Sequence, residues 1–193
     1  MNLNIELANK VLEISKKRGS THIGSCLSAL PIIKEIYEEK KPEDVFVLSN
    51  GHAFLAWAVV LEHYSGQDAE QLAEKHGTHP TRSPEDGILV STGSLGHGLG
   101  IALGMAIAGE RVHCLISDGE ASEGSIWEAL RIKTELGIDN LIVHANLNGY
   151  TALGLSDRTV LTRRLKEFCP DIRIYLTENG PGFDGVQGHY KKI

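Results

Sequence analysis

The chain has 193 residues, 41% hydrophobic and 23% charged, which is enough apolar material for one globular domain with a real core. Its 25 acidic against 19 basic residues give a net charge of −6, the reverse of the basic footprint that nucleic-acid binding needs. No apolar run reaches membrane-spanning length, and three scattered cysteines without a C-x-x-C (Cys26, Cys114, Cys169) point to a reduced, cytoplasmic protein.

The opening MNLNIELANKVLEISKK reads as an amphipathic helix over 4–17 rather than a signal peptide. RGSTHIGS follows as a loop, then a second helix over 26–39 with Pro31 disturbing its first turn. VFVL at 45–48 is a buried strand, and HAFLAWAVVLEHY after Ser49-Asn50-Gly51 is a helix with Trp57 in its apolar face. The acidic runs near 35–44 and 68–74 are solvated helix faces, and KHGTHPTRSPEDG is a loop. Residues 95–109 carry small side chains spaced for a closely packed helix. A strand at 111–117, a helix at 122–137 with Trp127 in its apolar face, a strand at 140–146, a helix near 157–168 and a strand at 172–176 complete the chain. Alternating strands and helices imply the α/β class, with a mainly parallel sheet and helices on both faces.

Glycine is enriched, 21 residues or about 11% against a usual ~7%. Many glycines sit where the apolar period changes, the pattern of tight turns that carry sites. A P-loop is absent, and Gly96–Gly104 reads G-x-G-x-G-x-x-x-G, which argues against a Rossmann dinucleotide site.

Ligands of parallel α/β sheets sit at the carboxyl ends of the strands. Two such ends stand out, Ser117-Asp118-Gly119-Glu120 and Asn146-Leu147-Asn148-Gly149-Tyr150. Asp118 and Asn148 are thirty residues apart, one helix and one strand, so a β-α-β crossover sets them side by side. A carboxylate with an amide oxygen suits Mg²⁺ or Ca²⁺, and Asp118 precedes a helix N-terminus that favours phosphate. On spacing alone, two plain turns, Asp-Gly and Asn-Gly, are an equal reading. His76 and His79 form H-x-x-H, but no further ligand set accompanies them for zinc. His63, His113, His144 and His189 read as surface or satisfied core histidines.

The surrounding motifs separate these readings. Asp118-Gly119-Glu120, Glu123-Gly124 and Trp127-Glu128-Ala129, followed by Asn148-Gly149, resemble the thiamine-diphosphate motif of transketolases. Thr21-His22-Ile23-Gly24 is similar to that family's G-H-x-G loop, and Leu48-Ser49-Asn50-Gly51-His52-Ala53 to its L-S-x-G-H-A. His79-Pro80 stands where the family has G-H-P-E, and Ser91–Gly98 is close to its T-T-G-x-L-G-Q-G.

The resemblance implies a thiamine-diphosphate-binding fold and ketol transfer from a ketose or its phosphate to an aldose. Asp118, Asn148 and the Tyr150 carbonyl would hold Mg²⁺, or Ca²⁺ in its place. Gly119 and His52 would contact the diphosphate, Glu120 would belong to the cofactor site, and Gly93 and Leu95 would lie near the aminopyrimidine. His22, His52 and His79 would line the substrate channel as catalytic groups. Glu123 and Glu128 would meet at a subunit interface. The chain would form a single pyrophosphate-binding domain over 1–193. The pyrimidine-binding and C-terminal domains would lie on a separate partner chain, in a heterotetramer with two copies of each. A carboligase of the deoxyxylulose-phosphate-synthase type, or a non-catalytic subunit retaining the fold, are the alternatives. Three departures stand against the family pattern: Ser117 for its first glycine, His97 for its Gln, and Thr151-Ala152-Leu153-Gly154 where I-D-G is typical. The tail over 179–193, NGPGFDGVQGHYKKI, resembles the family's K-G-x-G…H segment.

Overall fold

Short apolar strands need cover on both faces, and each helix of this chain supplies one apolar side. The computed structural model describes residues 3–193, the side chains of Val186 and His189 excepted. Four parallel strands form the central sheet in the order β1 (Val45–Leu48), β2 (Val112–Ser117), β3 (Leu141–Leu147) and β6 (Arg173–Leu176). Successive side chains alternate between its faces. Phe46, Leu48 and Leu115 join the core under α1 (Leu3–Arg18), α2 (Ile23–Glu39), α3 (Phe54–Ser65) and α4 (Ala69–His76). Val45, Val47, Cys114, Ile116, Val143 and Ala145 face the second core, under α5 (Gly98–Ile107), α6 (Gly124–Leu136) and α7 (Arg158–Phe168). The α/β class and the two-sided parallel sheet are therefore as expected. Among the described residues no helix is long and apolar enough to cross a membrane.

Three local features differ from expectation. Helix α2 begins at Ile23, so Pro31 sits in its interior rather than its first turn. The earlier start is possible because His22 turns the chain within one residue, at φ 63°. Beyond β3 the chain folds into a two-residue-per-strand hairpin, β4 (Tyr150–Thr151) and β5 (Gly154–Leu155), instead of a plain loop. Trp127 is only half-buried, donating to the Ala121 carbonyl at 3.0 Å and packing edge-on against Phe168, whereas Trp57 is buried in the core and donates to the Tyr37 hydroxyl.

Two of the unassigned histidines are core residues with partners. His113 and His144 lie on the α2 face of the sheet, with ring nitrogens 3.2 Å apart. His144 is 3.2 Å from the Tyr175 hydroxyl, which donates to Glu35 at 2.6 Å. His63 is exposed, and the His189 side chain lies outside the described residues. Burial pushes His144 down to about 3 and lowers His113 as well; Arg111 and Arg173 add to the depression at His113, and Asp44 opposes it. His144 is thus neutral when folded, while the unfolded chain protonates it below about pH 6.5. Its contribution is complete above that pH and is lost as pH falls toward 3. Denaturant titrations should show His144 alone removing about 2 kcal/mol between neutral pH and pH 5. His144→Gln should flatten that slope by about one proton.

Candidate functional site

The carboxyl ends of β2 and β3 lie side by side, so the residues just beyond them converge. Asn148 N–H donates to Asp118 Oδ1 at 2.8 Å and Gly149 N–H to Oδ2 at 3.1 Å. The Ser156 hydroxyl donates to the same Oδ2 at 2.5 Å. Asp118 is 1% exposed, and burial raises its carboxyl above the ordinary aspartate value, with these three donors and its own backbone N–H pulling it back. The Asn148 side-chain oxygen accepts Tyr150 N–H at 3.0 Å, and its amide nitrogen donates to Ser28 at 3.3 Å. Asn146, two residues earlier and so on the same face of β3, also donates to Ser28, at 3.0 Å. Ser117 ends β2 without a positive φ, which is why a serine is accommodated where the family has glycine.

Beside these strand ends lies a cavity of about 170 Å³. It is lined by Gly119, Asn148 and Tyr150, by Gly93 and Leu95, and by His22, His52 and His79. The His22 ring centre is 5.5 Å from that of His52, 6.4 Å from that of His79 and 5.5 Å from that of Tyr190. Among the described residues His22 is the one non-glycine residue with positive φ. Holding a histidine there costs on the order of 1–3 kcal/mol, and such strain concentrates at functional positions. Gly93 has φ +130°, and a Cβ on it would stand 2.7 Å from the His79 ring. The close approach of the 91–98 segment to His79 therefore requires glycine.

Asp118 and Ser156 line a second cavity, of about 610 Å³, which shares Thr151 with the first. Glu120 is placed differently from the other expected cofactor residues: it is buried behind the cavity wall, with Oε1 accepting Gly96 N–H at 2.8 Å. Burial pushes its carboxyl up to about 7, with the Ser49 hydroxyl and Gly96 N–H pulling the other way. Glu123 and Glu128 are exposed, outside both cavities, at the start of α6, with Glu128 paired to Arg131. His97 is exposed at the N-terminus of α5 and lines neither cavity. His76 is held by Asp86 at 2.9 Å, as is Lys75 at 2.7 Å, and this cluster ties down the loop that carries His79.

Several site residues had no place in the sequence reading. Asn50 and Asn179 line the first cavity. Asn50 is 0% exposed, yet neither of its side-chain amide atoms has a partner among the described residues, and Asn179 Oδ1 is likewise unpartnered. Buried polar atoms require partners, so a polar ligand or water belongs there. Asn146 could have been found from its period-2 relation to Asn148; Ser28 and Ser156 carried no such signal. The donor set fits a diphosphate with a hard cation: one carboxylate, an adjacent side-chain amide oxygen and unpartnered amides on the cavity wall. Among the described residues no three His, Cys, Asp or Glu converge on one point. A cation here would thus need ligand oxygens to complete its shell, the usual situation for Mg²⁺ at a phosphate.

A two-sided parallel sheet with its polar groups gathered at the strand carboxyl ends defines a ligand-binding α/β domain. Comparison with known proteins narrows the class. The family described as "Transketolase, thiamine diphosphate binding domain" matches residues 8–168, and the chain belongs to that family. Transketolase-like protein 2 of Bos taurus is 38% identical, over 74% of this chain and 27% of its own. Transketolase of Homo sapiens is 34% identical, over 80% and 28%. The chain therefore spans little more than a quarter of these relatives. A Phocaeicola vulgatus protein named as one of the subunits of an apulose-4-phosphate transketolase is 31% identical, over 82% of this chain and 64% of its own. Among solved structures, transketolase from Leishmania mexicana shares the fold, with a TM-score of 0.70 at 22% identity over 95% of this chain and 37% of its own. The thiamine-diphosphate-binding fold expected from the motifs is thus the fold of this chain.

Proposed function

We propose that this chain is the cofactor-holding subunit of a two-chain, thiamine-diphosphate-dependent transketolase in the cytoplasm, and that 1–193 acts as its single pyrophosphate-binding domain. The observation that carries this reading is the junction of Asp118 and Asn148 at adjacent strand ends, beside a cavity lined by three histidines. The similarity to a bacterial protein whose name makes it one of the subunits of a transketolase supports the division between two chains.

In this reading Asp118, Asn148 and the Tyr150 carbonyl hold Mg²⁺, and Gly119 and His52 contact the diphosphate. Gly93 and Leu95 shape the wall for the aminopyrimidine, with Glu120 bracing that wall through Gly96. Bound thiamine diphosphate supplies the electron sink needed to break the bond beside a ketose carbonyl. The chain's own contribution is to orient and to move protons. His22, His52 and His79 stand where they can donate hydrogen bonds to sugar hydroxyls and to an oxygen that gains charge as the bond breaks. Exposed Glu123 and Glu128 are available to a second subunit, in an assembly with two copies of each chain. The partner provides the pyrimidine-binding half of the active site.

The test is a donor comparison on the chain purified with its partner, supplied with thiamine diphosphate and Mg²⁺. A ketose phosphate with an aldose acceptor should yield a product lengthened by two carbons. Turnover of pyruvate in its place would assign the chain to the deoxyxylulose-phosphate-synthase type, and turnover of neither would support a non-catalytic subunit.

A further inference from the structure

Helix α4 ends at His76, and three residues further on His79 lines the first cavity. The H-x-x-H spacing that fails as a zinc set thus pairs one ring at the cavity with one away from it. The His76 side chain is 3% exposed, and its ring packs edge-on against Phe54 with centres 5.3 Å apart. Nδ1 accepts Thr81 N–H at 3.4 Å. A backbone N–H can only donate, so the ring hydrogen lies on Nε2, which donates to Asp86 Oδ2 at 2.9 Å. Burial would raise the Asp86 carboxyl, but Lys75, Ser83 and His76 hold it down at about 2, so it stays an acceptor.

These two bonds grip the chain beyond His79 at two points. Thr81 is two residues past it, and Asp86 closes the 3₁₀ turn Pro84–Asp86. The segment between and after them is a ribbon. Ser83 and Ile88 exchange both backbone bonds, at 2.8 and 3.0 Å. Arg82 N–H donates to Ser91 Oγ at 2.7 Å, and Thr92 N–H to the Pro80 carbonyl at 3.1 Å. The ribbon ends at Gly93, the residue against which the His79 ring packs. His79 is therefore held between His76 on one side and Gly93 on the other.

We propose that His76 is a positioning residue for the reaction: by bonding Thr81 and Asp86 at once, it sets the 77–81 turn and with it the His79 ring at the cavity. The proposal rests on His79 acting on the substrate, as in the function proposed above. Misplacing such a group by about 1 Å can cost on the order of 100-fold in rate. A hydrogen bond that strengthens as charge develops is lost from kcat rather than from KM.

The test uses the chain with its partner, supplied with thiamine diphosphate, Mg²⁺, a ketose phosphate and an aldose. His76→Phe keeps a ring against Phe54 and removes both hydrogen bonds. It should lower kcat on the order of 10- to 100-fold, with KM for the ketose phosphate and affinity for thiamine diphosphate within about twofold of wild type. The loss should vanish in a His79→Ala background, where the group being positioned is already gone. His76→Gln, with an amide donor for Asp86 and an acceptor oxygen for Thr81, should recover most of the rate. NMR of the histidine ring nitrogens gives a readout without turnover: His76 should carry its hydrogen on Nε2, and the His79 signals should move in His76→Phe and return in His76→Gln. Wild-type kcat in His76→Phe, an undiminished loss in the His79→Ala background, or a hydrogen on Nδ1 of His76 would overturn the positioning role. Full activity in His79→Ala alone would instead overturn the part given to His79, and the proposal with it. Were the wild type to turn over no ketose phosphate, the proposed function would fail, and the ring signals would still decide whether His76 places His79.

Discussion

Asp118→Ala is expected to lower Mg²⁺-dependent affinity for thiamine diphosphate at least 100-fold, as measured by calorimetry on the chain with its partner. Ketol transfer should fall in parallel. The motif alone suggests a site residue that can be removed with little loss of fold, and the structure adds a cost to that. Asn148 N–H, Gly149 N–H and the Ser156 hydroxyl all end on this carboxylate, which is 1% exposed. Truncation strands the buried Asn148 N–H and two half-buried donors, and one unsatisfied buried group costs about 1–3 kcal/mol. A measurable drop in melting temperature should therefore accompany the loss of binding. An Asp118→Ala chain as stable as wild type would mean that the loop repacks and that the clamp around Asp118 is not structural.

The second large effect is expected from Gly98→Ala, at the first residue of α5. A Cβ there would run into Ser49 Oγ and fall 2.6 Å from Ser49 Cα. The second of these contacts is with backbone at the end of β1, so no rotamer change relieves it. The helix and the strand end must separate, at a cost of about 3 kcal/mol. For a domain of this size that corresponds to a melting temperature lower by roughly 6–12 °C. Gly100→Ala is the internal control, since a Cβ there meets nothing within 4 Å. A variant at Gly98 that melts with wild type would show that the 91–98 segment does not depend on this contact.

The sequence made legible whatever depends on period and on strand–helix–strand spacing. VFVL and RVHCLIS could be only buried strands, and one crossover from RVHCLIS to NLIVHAN was enough to bring Asp118 next to Asn148. The small residues of 95–109 announced the helix, but of its glycines only Gly98 packs closely, against Ser49, while Gly100 and Gly104 lie on an exposed face. What stayed hidden depends on turn closure or on contacts distant in sequence. Ser156 reaches Asp118 because residues 149–156 fold back as a hairpin, and no periodicity marks a pair of two-residue strands. Ser28 meets Asn146 and Asn148 across 118 and 120 residues of chain. Asn50 was visible only as the variable position of a longer motif; its unpartnered amide is a property of packing. Glu120 follows Asp118-Gly119 directly, yet the short 3₁₀ turn over Glu120–Ser122 turns its carboxylate to Gly96 rather than to the cavity. His113 and His144 could be placed in strands, but which rings and carboxylates they would meet depended on the register of β2, β3 and β6.

Native mass spectrometry on the chain purified from its own host, in buffer with Mg²⁺ and thiamine diphosphate, tests the central claim most directly. The expected result is a complex with a second protein, two copies of each, that retains cofactor and loses it when metal is chelated. A lone chain or a homodimer without cofactor would leave the fold intact and contradict the assignment of this chain as the cofactor-holding half of a two-chain transketolase.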